Sequence, residues 1–173
     1  MSTVRPHPLP AHALLTRYSD NGAYADCFVA DVAPGISHAD YVTAFYTSWL
    51  FKLERLVLLC LVAKPSTDQQ AGELARGERK RFAAWSVEAR EPDQLLVCDY
   101  QGKTRSWLMC EAAIEDGNAV TRLYFGTAVV PVIDGNTGRQ TLSFLFRALL
   151  PFHKRYARAL LRAARSRLAS RSS

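Results

Sequence analysis

Residues 80–130 constrain the fold of this 173-residue chain more than any other part. Four runs there have strand composition: 81–90, 95–100, 103–114 and 119–130. The links between them are short and turn-rich: Glu91-Pro92-Asp93-Gln94, Gln101-Gly102 and Glu115-Asp116-Gly117-Asn118. Strands joined by so few residues pair antiparallel with their neighbours, so this stretch predicts a four-strand meander.

The turns also set a register. A two-residue turn at Gln101-Gly102 pairs Cys98 with Arg105 and Leu96 with Trp107. The turn at Asp116-Gly117 sets Ile114 against Ala119, Glu111 against Arg122, Met109 against Tyr124 and Trp107 against Gly126. The loop at Glu91–Gln94 sets Arg90 against Leu95, hence Val87 against Cys98 and Trp85 against Tyr100. One sheet face then carries Trp85, Val87, Leu96, Tyr100, Arg105, Trp107, Met109 and Tyr124. The other carries Glu88, Asp99, Ser106, Leu108, Cys110, Leu123, Phe125 and Thr127. The first face, with its aromatic rings around one arginine, is expected to lie under the C-terminal helix. Glu111 and Arg122 are expected to form a cross-strand ion pair.

Upstream, 23–32 alternates as a strand and Pro34-Gly35 stops it. Ser37 is a good N-cap with Asp40 in the first turn, and Tyr41, Phe45, Trp49, Leu53, Leu56 and Cys60 recur at helical spacing. The pattern fits one long helix, or two with a break near Thr47-Ser48, where Ser48 can cap the second. Ser66 or Thr67 caps a short helix that Gly77 ends. A last helix covers about 142–168 around Pro151, with Phe146, Leu149, Phe152, Tyr156 and Leu160 as its apolar stripe. Three prolines within 5–10 predict a mobile N-terminal arm over 1–21, and the Ser-rich 169–173 a disordered tail. The remainder, 22–168, is one domain. Helices grouped apart from an antiparallel sheet make an α+β fold.

Charge excludes some functions. No acidic residue follows Asp134, whereas Arg139, Arg147, Lys154, Arg155, Arg158, Arg162, Arg165, Arg167 and Arg171 do, so the net charge of +6 belongs to the C-terminal segment. A basic helix on an otherwise acidic chain lacks the second basic patch of a nucleic-acid reader. It permits at most weak contact with an anionic membrane surface through Arg147, Arg171 and the cations between them. Cys27, Cys60, Cys98 and Cys110 form no CxxC pair and read as free thiols in a reducing, cytoplasmic compartment. His7, His12, His38 and His153 lack metal-ligand spacing, so neither metal nor other cofactor is expected. The Pro-rich start has no apolar run of a signal peptide.

The element order, strand, helices, meander, long helix, resembles the START-like (SRPBCC, helix-grip) superfamily. The stretch Arg81-Phe82-Ala83-Ala84-Trp85-Ser86-Val87-Glu88 with Gly102-Lys103-Thr104-Arg105-Ser106-Trp107-Leu108 is similar to uncharacterised bacterial members. The resemblance implies an antiparallel sheet curled around the C-terminal helix, with an apolar or amphipathic ligand between them. Members usually have six strands after the helices; four here imply either a reduced version with a smaller sheet or a relative with a different fold.

Within that frame, Arg105 is the candidate anchor for a ligand carboxylate, because a guanidinium on an apolar face needs a partner. Trp49, Trp85, Tyr100, Trp107, Tyr124 and Tyr156 are the candidate cavity lining. GxSxG, HExxH, Walker A and GxGxxG are absent, so ligand binding is expected rather than catalysis. The alternative is a solid-core scaffold, including a homodimer built on Leu108, Leu123 and Phe125, or a basic-helix binder of anionic partners. A hydrolase or cyclase of the same fold ranks below both.

Overall fold

The computed structural model describes residues 3–62, 65–133, 140–141 and 144–170. The strands are β1 (Arg5–Pro6), β2 (Tyr24–Val32), β3 (Arg81–Phe82), β4 (Trp85–Glu91), β5 (Gln94–Asp99), β6 (Thr104–Glu115), β7 (Asn118–Val129), β8 (Val132–Ile133) and β9 (Gln140–Thr141). The helices are α1 (Thr16–Ser19), α2 (His38–Tyr46), α3 (Trp49–Val62), α4 (Asp68–Ala75) and α5 (Phe144–Ala169). Seven strands form an antiparallel open sheet in the order β1-β2-β7-β6-β5-β4-β3, and β8 with β9 makes a separate hairpin. The fold is α+β, with the C-terminal helix across one face of the sheet. Among the described residues no helix is long and apolar enough to cross a membrane.

Local chemistry sets the element ends. Ser37 Oγ accepts from the Asp40 amide at 3.1 Å and caps α2. Thr67 and Gln70 form a reciprocal capping box on α4. The chain breaks between α2 and α3 at Thr47-Ser48, where the Ser48 hydroxyl donates to Phe45 O at 2.8 Å. The expected strand over 81–90 is two pieces, because Ala83 takes a positive φ of 50° and turns the chain.

The β5–β6 and β6–β7 registers are as the turns predict, including Leu96 against Trp107 and Met109 against Tyr124. The β4–β5 register differs. It holds at Arg90 with Leu95, then a bulge at Glu88 shifts it, so Val87 lies against Val97 and Trp85 against Asp99. A shift of one residue reverses the face of every side chain beyond it. Trp85 and Val87 therefore pack with Phe45, Leu108 and Phe125 on the helical side.

The face assignment is also reversed. The helices cover the face bearing Leu95, Val97, Leu108, Leu123 and Phe125. Trp107, Met109, Tyr124 and Leu96 face the other way. That second face is covered by the N-terminal segment, expected to be a mobile arm, which instead packs Ala13 and Leu15 into the cluster around Trp107. Proline content argues against a helix in that segment, but an extended chain can still bury side chains and pair at a sheet edge. Here β1 pairs with β2, and the His7 amide donates to Cys27 O at 3.0 Å. Gly126 makes room for the close approach, since a Cβ there would meet Leu15 Cδ2 at 2.9 Å and Trp107 Cε3 at 3.0 Å.

Leu108, Leu123 and Phe125 are buried under the helices, so a dimer cannot be built on them. Arg122 opposes Glu111 in the ladder but bonds Asp31 of β2 at 2.7 Å and Glu115 at 2.5 Å. Burial pushes the Asp31 carboxyl up, yet Arg122 and Arg5 outweigh it and hold the group below the usual carboxylate range. Cys27, Cys98 and Cys110 are free thiols; the side chains of Cys60, Phe146, Arg147 and Leu149, and residues 171–173, lie outside the described residues.

Gln94, 1% exposed, staples the N-terminal segment to the sheet. Its Oε1 accepts from Trp107 Nε1 and the Leu14 amide, both at 2.9 Å, and its Nε2 donates to His12 O at 3.1 Å. Gln94→Leu leaves two buried donors unmatched and is expected to cost about 2–4 kcal/mol, read as a lower urea midpoint.

Candidate functional site

A cleft of about 220 Å³ lies between α5 and the sheet, with α2 and α3 closing its side. Strand sequence opens it. On the covered face, β6 runs from Leu108 to the smaller Ser106 and Thr104, and β7 from Phe125 to Thr127 and Val129. Ala157 keeps α5 from filling the space that those short side chains leave. Phe45, Phe51, Trp85, Phe125 and Tyr156 supply aromatic walls. The ring centroids of Phe45 and Phe125 are 4.8 Å apart, and those of Phe45 and Phe51 5.8 Å.

Two polar groups of charge-bearing residues border this cleft. Glu54 of α3 accepts from Tyr156 Oη at 2.5 Å, joining α3 to α5. Burial raises the Glu54 carboxyl above its ordinary range, and the Tyr156 hydrogen bond opposes that only in part. On the other side, His153 Nε2 lies 2.8 Å from Thr127 Oγ1, which donates to Asp26 Oδ1 at 2.6 Å. With the hydroxyl proton directed to Asp26, His153 donates from Nε2. Burial lowers the His153 imidazole, Asp26 opposes, and Lys154 adds to the lowering. Burial thus biases both groups toward their neutral forms. One further donor, Trp85 Nε1, is buried without a hydrogen-bond partner among the described residues. Trp85 is on the cleft wall itself.

The seven residues expected to form the site divide four ways. Trp85 and Tyr156 line the cleft. Trp107 and Tyr124 lie beneath the N-terminal segment, Tyr124 donating to Glu111 Oε1 at 2.5 Å. Trp49 is 71% exposed on α3 and Tyr100 54% exposed at the Gln101-Gly102 turn. The strand of Arg105 borders the cleft, but its guanidinium serves the opposite face. There its Nε donates to Glu88 Oε2 at 3.0 Å, Nη1 donates to Gly102 O, and the group stacks 4.6 Å over the Tyr18 ring. Glu88 also takes Arg17 at 2.7 Å and the Tyr18 hydroxyl. Arg105 therefore clamps the sheet to the N-terminal segment.

Glu54, His153, Thr127 and Phe51 were not legible as site residues. Glu54 is one acid in a helical run, and no spacing links it to Tyr156 about a hundred residues away. A larger hollow of about 520 Å³ lies at the far end of α5 beside Asp31, Ile36, Glu115 and Arg165. Arg5 and Arg122 already pair Asp31 and Glu115 there, which makes it the weaker candidate.

The chain matches no protein-family model, no curated protein and no solved structure.

Two substitutions test this geometry. Arg105→Leu is expected to lower stability by roughly 0.5–1.5 kcal/mol in a denaturant titration, since it removes one of the three partners of the exposed Glu88. For Glu54, the folded state binds the carboxyl proton more tightly than the unfolded chain. That contribution is complete below the ordinary carboxylate range and is lost as pH rises through the raised value. Glu54→Gln is neutral throughout. Its Tm is expected to exceed that of the parent at neutral pH, and the difference to vanish as pH falls through the carboxylate range.

Proposed function

We propose that this chain is a small-ligand-binding domain that holds an amphipathic molecule between its sheet and C-terminal helix, in the manner of a helix-grip, START-like protein. The observation that carries the reading is the cleft under α5, walled by five aromatic rings at the point where both strands switch to short side chains. Pockets of this kind combine apolar walls with a few convergent polar groups. Here those groups are Glu54, Tyr156, Thr127, His153 and the Trp85 indole N–H. The strand, helices, meander and long-helix order supports the same reading.

A ligand carboxylate is no longer the favoured polar group. The guanidinium of Arg105 is bound to Glu88 on the other side of the sheet, and the cleft itself carries Glu54. Size favours a compact molecule. An apolar cavity of about 150 Å³ accepts benzene, so this cleft suits one ring with a short polar arm. The reading places the protein in the cytoplasm, with no catalytic step assigned.

Ala157 is the residue to fill. Ala157→Phe puts a ring into the cleft from the helix side, at an overpacking cost of about 1–3 kcal/mol. Native mass spectrometry of the parent is expected to show a co-purifying small molecule, or ligand-observed NMR to show binding of single-ring aromatic fragments. The Phe variant is expected to lose both while keeping its near-UV circular dichroism. A parent that takes up none of these fragments and carries no small molecule sinks the reading, as does undiminished binding by Ala157→Phe.

A further inference from the structure

We propose that the ligand of this cleft carries a positively charged nitrogen, held by the Glu54 carboxylate inside a cage of aromatic side chains. The proposal rests on the reading of the cleft as a ligand site and adds the chemical class of its occupant.

The charge balance around Glu54 is the first argument. Tyr156 Oη donates to its Oε2 at 2.5 Å, but among the described residues no cation lies within ion-pair distance. The nearby cations are engaged elsewhere. Lys52 and Arg55 on the same helix both bind Asp68, at 2.5 and 2.7 Å. Arg90 donates to the carbonyls of Leu74 and Ala75, and Arg105 binds Glu88. A carboxylate withdrawn from water is costly without a counter-charge. A cationic ligand supplies the counter-charge that the described residues do not.

The walls are the second argument. Phe45, Phe51, Trp85, Phe125 and Tyr156 surround the same cleft. Aromatic faces carry negative quadrupole potential and attract an ammonium, most strongly where water is excluded. A partly buried carboxylate together with ring faces selects an organic ammonium against both neutral and anionic molecules of the same shape. An anion meets repulsion from Glu54. A neutral alcohol gains neither the ion pair nor the cation–π attraction.

Proton linkage gives the proposal an independent readout. The groups facing Glu54 are Tyr156 and His153 from α5, Tyr46 from α2, and Arg90 of β4 through its charge on Tyr46. Burial favours the protonated carboxyl, whereas a bound ammonium favours the ionised one. Ammonium binding is therefore expected to weaken as pH falls through the raised Glu54 value and to release protons in that range.

The test compares benzylamine, tetramethylammonium, benzyl alcohol and benzoate on the full chain by ligand-observed NMR and thermal shift. Benzylamine is expected to bind roughly tenfold or more tighter than benzyl alcohol, tetramethylammonium to bind, and benzoate to fail. Glu54→Gln is expected to remove the amine preference, so that benzylamine binds no more tightly than benzyl alcohol. Tyr156→Phe, which keeps the carboxylate and the ring, is expected to retain the preference. Benzyl alcohol or benzoate binding as tightly as the amine overturns the charge proposal while leaving the cleft as a ligand site. An amine preference that survives Glu54→Gln, or that does not weaken toward low pH, overturns it as well. Failure of all four probes on the parent overturns both this proposal and the reading it rests on.

Discussion

A sheet whose central strands are apolar on both faces needs two covers, and the structure follows from that. In β6 the run Trp107, Leu108, Met109 is buried without a break, and in β7 the run Leu123, Tyr124, Phe125 matches it. Alternation sends Leu108, Leu123 and Phe125 to one side and Trp107, Met109 and Tyr124 to the other. Helices α2 and α5 cover the first side. The second is covered by an extended segment with one turn of α1. Each large side chain so buried contributes about 1.5–3 kcal/mol, so neither cover is dispensable.

The second cover is held by polar contacts placed where apolar packing alone would let an extended chain slide. Gln94 ties it through His12 O and the Leu14 amide while satisfying the Trp107 indole. Glu88 collects Arg17, Tyr18 and Arg105 at the opposite end. The bulge that turns Glu88 toward that segment also turns Trp85 toward the helices. One extra residue in β4 thus supplies an anchor on one face and a cleft wall on the other.

The cleft exists because packing on the first face is uneven. Where the strands present Leu108 and Leu123 the helices close down, and where they present Ser106, Thr104 and Thr127 opposite Ala157 they do not. The polar groups there come from four separate elements, α3, β4, β7 and α5. Their titration behaviour follows from burial: Glu54 is raised and His153 lowered, the opposite of what either would do in an exposed ion pair.

Several things were legible in the chain by itself. The short turns at Gln101-Gly102 and Asp116-Gly117 determined two strand registers residue by residue, since turn length leaves an antiparallel pair no freedom. Ser37 sets the start of α2 through a hydrogen bond within a few residues, whereas the choices between one helix and two at Thr47-Ser48, and between Ser66 and Thr67 as the cap of α4, were open in the sequence and settled by the structure. Tertiary structure alone decided which face the helices take. Both faces carry enough apolar area to be buried, and the choice depends on where α5 and the N-terminal segment pack. It also decided the fate of Arg105 and Glu54. Local sequence shows that a charge is present, but whether it is paired depends on partners such as Glu88 and Tyr156 that only the folded chain brings within hydrogen-bonding distance.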